Sequence, residues 1–498
     1  MGTTRQRRWW CGPVWRARAW VGDRVWATAL WMTVVAGTYW MATLIPNFSV
    51  FVLTDEIADR PGDGPYTTKA LMSIARGAAM PLGFASTLFG PVRRMIGSGW
   101  RRPVGLVVYA LLFTGVPNVA FVIESVTVRV ASRFVGSFFF SWAFCAYIAY
   151  AQGRRASDVV MPVTTVCMLL AASVSRAISP AIGRRIADSE GGANDNAYAW
   201  MPVMVSALLV VPMAMGAIGL AASPQPTEAD ARSRMRRTEV SDTAGRAWLR
   251  KHWPVVLGMA ASNTVLQSVR VVRDIFASDF LGADAPAWQW IVAEAPACIG
   301  ASLFYANLAF VKSHHRAFVA VAVVGLVAGA IMAAIGASGL AGAVSPLCFL
   351  IVSGIGYFLA VVPFAGGGAV VERLIAASRM PVDSMFVNVI CQLPGHVGAL
   401  GVLIASPLAP DPAAYFGWTV FGGGVVLLAS YAWTLAAAWC VLFADGGTVD
   451  HYHHDDDDDD DDDYNNDLLI LGTPRDGDGA VASPPDSRAY GTFVREQS

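Results

Sequence analysis

The stretch "NTVLQSVRVVRDIF", residues 263–276, places two arginines and an aspartate inside a long apolar segment that begins at Pro254. If this segment spans a membrane, each ionised side chain near its middle costs roughly 2.5–3.5 kcal/mol on insertion scales. Charged residues at such positions usually form an ion pair or take part in function. Arg270, Arg273 and Asp274 are therefore candidates for a structural ion pair or a functional site.

The composition is that of a membrane protein. Of 498 residues, 55% are hydrophobic and 15% are charged, and the mean hydropathy is +0.47, whereas a soluble globular chain carries about 25% charged residues. The net charge of −1 gives no indication of nucleic acid as a partner. The seven cysteines show neither a metal-ligand spacing nor a disulfide framework. The sequence predicts a chain embedded in the lipid bilayer, with no metal site and no cofactor.

Apolar segments long enough to cross the hydrocarbon core, about 20 residues each, recur along the chain. Together they predict an all-α membrane protein with about twelve transmembrane helices. The predicted spans are 25–46, 68–90, 104–123, 131–151, 159–182, 199–222, 254–275, 287–311, 317–338, 344–365, 384–406 and 414–443.

Arginine and lysine alternate between the loops. Loops on the side of the N-terminus are rich in basic residues, as in "RQRRWW" at the start of the chain, and the opposite loops are poor in them, as in "ADSEGGANDN". Basic loops stay in the cytoplasm. The sequence thus predicts a multi-pass protein of the plasma membrane or an internal membrane, with both termini cytoplasmic.

The longest internal loop divides the spans into two sets of six, which is the layout of major facilitator transporters. Two six-helix modules without transport have the same layout. Glycine clusters such as "FGGGV" (421–425) predict close helix packing. The predicted organisation is a basic cytoplasmic segment (1–24), an N-terminal half (25–222), a basic cytoplasmic linker (223–253), a C-terminal half (254–443) and a disordered acidic cytoplasmic tail (444–498).

Four polar residues of the opening stretch share one face of a helix, at i, i+4, i+7 and i+11: Asn263, Gln267, Arg270 and Asp274. In one interpretation Asp274 neutralises Arg270 near the helix end; in the other, the stripe faces a water-filled cavity and binds an anionic group. Because Arg273 and Asp274 point about 100° apart, we expect Arg270 and Asp274 to form the internal pair. Arg273 is then expected to reach another helix or the outer interface.

The eleventh span repeats this pattern in "NVICQLPGHVGALG" (388–401), where Asn388, Gln392 and His396 share a face. Pro394 interrupts the backbone ladder there and favours a cavity-lining position. Asn388 and Gln392 join Asn263, Gln267 and Arg270 as predicted substrate-binding residues. His396 is either a proton-coupling group or a histidine hydrogen-bonded between helices.

Further ionisable residues are predicted to act in coupling or gating. Arg76 lies in span two, and Glu294 in span eight precedes Pro296 and is expected to pair with Arg270 or Arg76, or to carry a proton. Glu372 and Arg373, at the cytoplasmic end of span ten, are predicted to form a gate or interfacial pair. The sequence contains no Ser-His-Asp order and no Walker motif, so no catalytic residues are assigned and neither an enzyme nor an ATP-driven pump is expected.

Several segments resemble a divergent, uncharacterised and mainly bacterial family of major-facilitator-like membrane proteins. They are "YIAYAQGRRASDVV" (147–160), "SPQPTEADARSRMRR" (223–237), "VRDIFASDFLGADAP" (272–286) and "VVERLIAASRMPVDSMFVNVICQLPGHVG" (370–398). The resemblance implies the fold and brings no known substrate. We expect a secondary transporter of a small anionic or zwitterionic solute, with or without coupling to protons, or else a transport-inactive scaffold or sensor with the same fold.

The C-terminal tail carries nine aspartates, Asp455–Asp463, a charge run that predicts disorder. "DLLIL" (467–471) and "YGTF" (490–493) resemble cytoplasmic sorting signals of eukaryotic membrane proteins. Sorting machinery is therefore an expected partner of the tail.

Overall fold

The computed structural model describes most of the hydrophobic part of the chain. The described residues are 13–57, 68–97, 101–123, 125–189, 199–224, 226–227, 230, 242–281, 285–364, 368–378, 380, 382–406 and 411–443. The predicted acidic tail with its sorting signals lies outside the described residues, as do residues 1–12 and the linker residues 231–241.

Every regular element among the described residues is helical. The α-helices are α1 (Pro13–Ile57), α2 (Thr68–Ser86), α3 (Gly90–Gly97), α4 (Arg101–Ala110), α5 (Val116–Phe121), α6 (Val126–Ala151), α7 (Ser157–Ser189), α8 (Met201–Ala221), α9 (Asp242–Leu281), α10 (Ala287–Ala306), α11 (His314–Leu340), α12 (Pro346–Val361), α13 (Ala369–Ser378), α14 (Ser384–Ala405) and α15 (Pro412–Ala438). A π-helical turn, Leu111–Gly115, joins α4 to α5 into one rod, and a second, Trp439–Phe443, follows α15.

Within the described residues, ten helical segments are long and apolar enough to cross a membrane. The second and tenth predicted spans are occupied by α2, which carries Lys69 and Arg76, and by the 16-residue α12. An apolar segment in lipid becomes helical because a helix satisfies every backbone polar group within the segment. The predicted all-α membrane fold is confirmed, and the chain is a multi-pass integral membrane protein.

One side of α8 illustrates the lipid-facing surface. Leu208, Val211, Met215 and Ile218 are all exposed, and their spacing of three or four residues puts them on one face of the helix. Exposure of such an apolar face to water would be unfavourable, whereas in a bilayer the face contacts the acyl chains of the lipids.

The buried core divides into two main clusters. One is built mainly from residues between Val35 and Leu220, and the other mainly from residues between Trp248 and Leu442. In the first half α1 packs on α7 and α8, and in the second half α9 packs on α14 and α15. Among the described residues, the halves meet mainly along two helix pairs, α2 with α14 and α7 with α10.

Glycines bring α11 and α15 together. A Cβ atom at Gly424 would lie 2.3 Å from the backbone nitrogen of Ala333, and one at Gly336 would lie 2.5 Å from that of Phe421. No side chain fits at that separation, so glycine is required for this approach. The packing role predicted for "FGGGV" is confirmed at Gly424.

Side-chain caps fix the starts of helices in the second half. Ser313, Ser345, Asp383 and Asp411 each accept a hydrogen bond from a backbone N–H in the first turn of α11, α12, α14 and α15, respectively. Such caps satisfy N–H groups that have no partner within the helix.

Candidate functional site

A cavity of about 110 Å³ lies between the two halves. Its wall comes from α1, α2, α6 and α7 of the first half and from α9 and α14 of the second. Most of the wall is apolar or aromatic. Among the described residues, the polar and charged side chains of the wall are Ser73, Arg76, Arg176, Gln267, Arg270, Asp274, Gln392 and His396.

The lining contains only part of the residue set predicted from the sequence. Arg76, Gln267, Arg270, Asp274, Gln392 and His396 face the cavity. The remaining predicted residues are buried elsewhere in the helix contacts: Asn263, Arg273, Glu294, Glu372, Arg373 and Asn388.

Asn263 lies outside the cavity lining and connects α9 to α14 by hydrogen bonds. Its Nδ2 donates to the carbonyl of Cys391 at 3.0 Å and to Oε1 of Gln392 at 3.1 Å. The same Gln392 oxygen lies 3.4 Å from Nε2 of Gln267. A Cβ atom at Gly395 would come within 2.5 Å of Asn263 Nδ2, so the absence of a side chain at Gly395 lets the asparagine reach the α14 backbone. Asn263 therefore orients the two glutamines.

Asn388 is buried beside Gly368, where a Cβ atom would lie 3.1 Å from Asn388 Nδ2. It lies one turn of α14 closer to the base-rich side than Gln392. Asn388 faces the contact between α14 and the start of α13, outside the cavity lining.

The arginines of the opening stretch take separate partners. Arg270 Nε lies 3.5 Å from Asp274 Oδ2 in the cavity wall. Arg273 turns away into the second half, where Nε lies 3.2 Å from Glu294 Oε1 and the other guanidinium nitrogens donate to the carbonyls of Leu350 and Ala293. The predicted Arg270–Asp274 pair is confirmed, and Arg273 reaches other helices.

Glu294 pairs with Arg273, which corrects the expectation that it would pair with Arg270 or Arg76. Its other carboxylate oxygen accepts a hydrogen bond from Ser173 of α7. Glu294 lies within α10 at the α7–α10 contact, and Arg273 is on the face of α9 turned towards it. The hydrogen bond from Ser173 thus connects this buried pair of the second half to the first half.

Two further arginines line the cavity. The Arg76 guanidinium lies 5.4 Å from the centre of the Phe48 ring. Arg176 of α7 donates to the backbone carbonyl of Asp274 at 2.6 Å and lies 5.0 Å from the centre of the Trp290 ring. Arg176 therefore bridges the two halves, a contact the sequence did not reveal.

His396 forms part of the cavity wall and stacks on Phe84, with ring centroids 5.1 Å apart and planes inclined by 11°. The stack joins α14 to α2 and hence one half to the other. This contact was not anticipated in either interpretation of His396.

A second group of contacts between the halves, here called the inner contacts, lies on the base-rich side. Arg93 donates to Asp383 at 2.5 Å, and Arg373 donates to Asp158 at 2.5 Å. The backbone N–H of Gly153 donates to Glu372 Oε2 at 3.1 Å. The three inner contacts connect loops and helix ends of the first half to α13 and the start of α14.

Local geometry holds the inner contacts in place. Gly153 has a φ of +71°, which only glycine adopts without cost, and this turns its N–H towards Glu372. Glu372 also accepts from Ser384. Burial lowers the pKa of the adjacent Arg154 guanidinium, and Asp230 opposes that shift by favouring the charged form.

The partners of Glu372 and Arg373 were not identified from the sequence. Gly153 and Asp158 fall within "YIAYAQGRRASDVV", and Asp383 falls within the resembling segment 370–398. Two of the four segments that carry the resemblance, 147–160 and 370–398, therefore contact each other. The occurrence of these polar residues within the resembling segments was the sequence signal that could have indicated the contact.

The first half also contains a buried polar network that the sequence did not indicate. Arg133, on α6, donates to the backbone and side-chain oxygens of Asn47. Asn118 donates to the carbonyls of Pro46 and Pro202. The network ties together the first, third, fourth and sixth spans near a proline in α1 and the π-helical turn.

Comparisons with known proteins show the fold and the family. Residues 81–445 match the family described as "Family of unknown function (DUF5690)", and no curated protein matches the chain by sequence. The proton:xylose symporter XylE bound to 6-bromo-6-deoxy-D-glucose is 12% identical, with a TM-score of 0.54 over 84% of this chain and 96% of that chain.

The major facilitator transporter FucP in the outward conformation is 9% identical, with a TM-score of 0.53 over 82% of this chain and 98% of that chain. At such low identity the likeness concerns the fold. The chain has the major facilitator fold and belongs to the DUF5690 family.

Proposed function

We propose that the chain is a secondary transporter that moves a small solute by alternating access between its two halves. The cavity is the observation that carries this proposal. It lies between the halves, and each half contributes charged side chains to it, Arg76 and Arg176 from one and Arg270 and Asp274 from the other. Intramembrane charges facing a cavity mark solute pathways.

The inner contacts act as the closed gate of this transporter. They join the halves at Arg93–Asp383, Asp158–Arg373 and Gly153–Glu372. For the cavity to open to the base-rich side, these contacts must separate. They are polar and geometrically specific, so they define a discrete closed state that a rigid-body movement exchanges for an open one.

The proposed solute is anionic or zwitterionic. Arg76 and Arg270 present guanidiniums, which bind carboxylate and phosphate groups with fixed geometry. Gln267 and Gln392 add amide groups that hydrogen-bond a polar solute. We extend the proposal to proton coupling, with His396 in the cavity wall and Glu294 at the α7–α10 contact as the candidate proton carriers.

The base-rich side is the proposed cytoplasmic side, by the positive-inside rule. Arg93 in the short α3, Arg101 and Arg316 in the first turns of α4 and α11, and Lys312 in the loop before α11 all lie on this side. Because the number of proposed spans, twelve, is even, both termini lie on this cytoplasmic side. The inner contacts then form a cytoplasmic gate.

Accessibility of a cavity residue from each side of the membrane tests the proposal without a known solute. Ala172 lines the cavity, and the adjacent Ala171 is buried in the core of the first half. Each is changed to cysteine in a chain whose seven native cysteines have been replaced. The variants are treated with a membrane-impermeant maleimide in right-side-out and in inside-out vesicles.

The same labelling is repeated after Arg93→Gln with Asp383→Asn, a double change that removes one inner ion pair but keeps a capping side chain at 383. We expect Ala172→Cys to gain reactivity from the cytoplasmic side in the double variant, and Ala171→Cys to stay unreactive. If Ala172→Cys reacts from neither side in both backgrounds, the cavity is sealed and a transport-inactive scaffold is the better account.

A further inference from the structure

One face of α9 changes from basic to aromatic to aliphatic near the start of the helix. Arg246, Arg250, Trp253 and Leu257 follow one another at intervals of four, three and four residues, so they lie on one face. All four side chains are exposed, that of Trp253 by 53%. At 1.5 Å per residue this set, here called the α9 stripe, passes from charge to hydrocarbon within about 17 Å.

The opposite face of this part of α9 is fixed to the second half. Trp248 is buried, stacks on His252 with ring centroids 4.7 Å apart, and donates from Nε1 to Ser378 Oγ at 2.9 Å. A Cβ atom at Gly245 would lie 3.3 Å from the ring of Phe386. Contacts along its back therefore hold the helix in place, and the α9 stripe is presented on a fixed surface.

Helix α15 lies beside the stripe and adds a second exposed indole. Trp433 is 49% exposed, and its Nε1 donates to the carbonyl of Pro254 at 2.8 Å, next to Trp253. A Cβ atom at Gly258 would lie 3.0 Å from Cδ1 of Trp433, so the Gly258 face of α9 is turned towards α15. Lys251, two turns earlier on that face, is exposed near the end of α15.

The level of this surface matches that of lipid headgroups. The seventh predicted span begins at Pro254, between the basic residues and Leu257, and tryptophan is enriched at membrane–water interfaces. The surface lies on the base-rich, proposed cytoplasmic side, where anionic phospholipids attract arginine and lysine. On α15, the exposed Val426 lies two turns from Trp433 towards the interior of the bilayer.

Beyond the proposed transport, and independently of it, we propose that the α9 stripe, Lys251 and α15 bind one anionic phospholipid of the cytoplasmic leaflet. Arg250 and Lys251 donate hydrogen bonds to its phosphate, and Arg250 has the planar guanidinium that suits phosphate oxygens. The two indoles lie beside the glycerol backbone. The acyl chains run along Leu257 and Val426.

The apolar part of the surface selects a lipid over a soluble phosphate compound. A free phosphate ester fits only the basic end, which includes Arg250 and Lys251. The exposed Trp253, Leu257 and Val426 continue in one direction from that end, and burying them against a ligand requires acyl chains. Charge at one end and hydrocarbon at the other are the two chemical features of an anionic phospholipid.

Native mass spectrometry of the purified full-length protein tests this site. Dioleoylphosphatidylglycerol and dioleoylphosphatidylcholine have the same acyl chains and differ in net charge, and glycerol 1-phosphate has the anionic group without the chains. Each probe is titrated, and the first bound molecule is counted. We expect phosphatidylglycerol to bind about fivefold or more tightly than phosphatidylcholine, and glycerol 1-phosphate to give no saturable binding.

Charge variants locate the headgroup. Arg250→Gln and Lys251→Gln are each expected to reduce the preference for phosphatidylglycerol by about fivefold. Arg316→Gln is the matched control, because Arg316 is an exposed arginine on the same side of the molecule, at the start of α11. The control is expected to keep the preference of the parent.

Indole variants locate the lipid body. Trp253→Ala is expected to weaken binding of both phospholipids, since it removes contact with the glycerol and acyl region without changing the charge. Trp418→Ala is its control, an exposed tryptophan at the opposite end of α15, and is expected to bind both as the parent does.

Equal affinity for the two phospholipids would overturn the proposal, as would a preference retained in both Arg250→Gln and Lys251→Gln. An equal loss in Arg316→Gln and Arg250→Gln would replace the site by diffuse attraction to the whole basic side. Glycerol 1-phosphate bound as tightly as phosphatidylglycerol would replace the lipid by a soluble phosphate compound. The labelling of Ala172→Cys tests transport alone, so either proposal can fail without the other.

Discussion

Arg273 and Glu294 form a buried ion pair, with 3.2 Å between Nε and Oε1, at the point where α9 meets α10. Ser173 of the first half donates to the same carboxylate. The arginine also donates to the carbonyls of Leu350 and Ala293. The pair therefore fixes the second half internally and connects it to the first, whereas Arg270, three residues earlier, faces the cavity.

Loss of one partner of this pair is predicted to be strongly destabilising. Glu294→Gln leaves the Arg273 charge buried without its carboxylate, a change that costs roughly 3–5 kcal/mol for buried pairs. The double change Arg273→Met with Glu294→Leu removes both charges and is expected to lose less stability. Thermal unfolding of the three proteins in detergent measures this. A Glu294→Gln protein as stable as the parent would show that the pair contributes no stability.

The Arg270–Asp274 pair gives a parallel prediction in the cavity wall. Asp274→Asn alone takes from Arg270 the carboxylate beside it and is expected to reduce folded yield and Tm more than Arg270→Gln with Asp274→Asn. Gel-filtration yield and thermal unfolding provide the comparison. Equal behaviour of the two variants would mean that the 3.5 Å approach has no energetic consequence.

Neighbouring glycines on α15 offer a matched pair for helix packing. At Gly424 an added Cβ would lie 2.3 Å from Ala333 N, whereas at Gly422 nothing lies within 4 Å. Gly424→Ala is therefore expected to destabilise by about 1–3 kcal/mol through overpacking. Gly422→Ala should leave stability unchanged or slightly raised, since alanine favours helix. Unfolding midpoints that rank the two in the reverse order would contradict the packing assigned to α11 and α15.

The spans and the Arg270–Asp274 pair were predictable because both are local patterns. Hydropathy is averaged over about 20 residues, and the spacing of four follows from helix geometry alone. The same periodicity correctly turned Arg273 away from Asp274. It also placed Gln267 and Gln392 on faces that prove to line one cavity.

The partners of Glu294, Glu372 and Arg373 were not predictable in this way. Asp158 and Arg373 are 215 residues apart, and Arg93 and Asp383 are 290 apart. Contacts of this range depend on helix rotation and on how the halves dock, which periodicity within one helix does not encode. The position of Asn263 outside the cavity lining has the same cause, because its side chain reaches the α14 backbone beside Gly395.

Paired distance measurements across both ends of the molecule test the central claim, that the two halves move about the cavity. Spin labels are placed at Met95 and Arg316 near the inner contacts, and in a second protein at Val126 and Ala343 on the opposite side, all in the background without native cysteines. Electron–electron distances are compared before and after Arg93→Gln with Asp383→Asn. The account predicts a longer component in the inner pair together with a shorter one in the outer pair. Unchanged distributions at both ends in a folded double variant would contradict it.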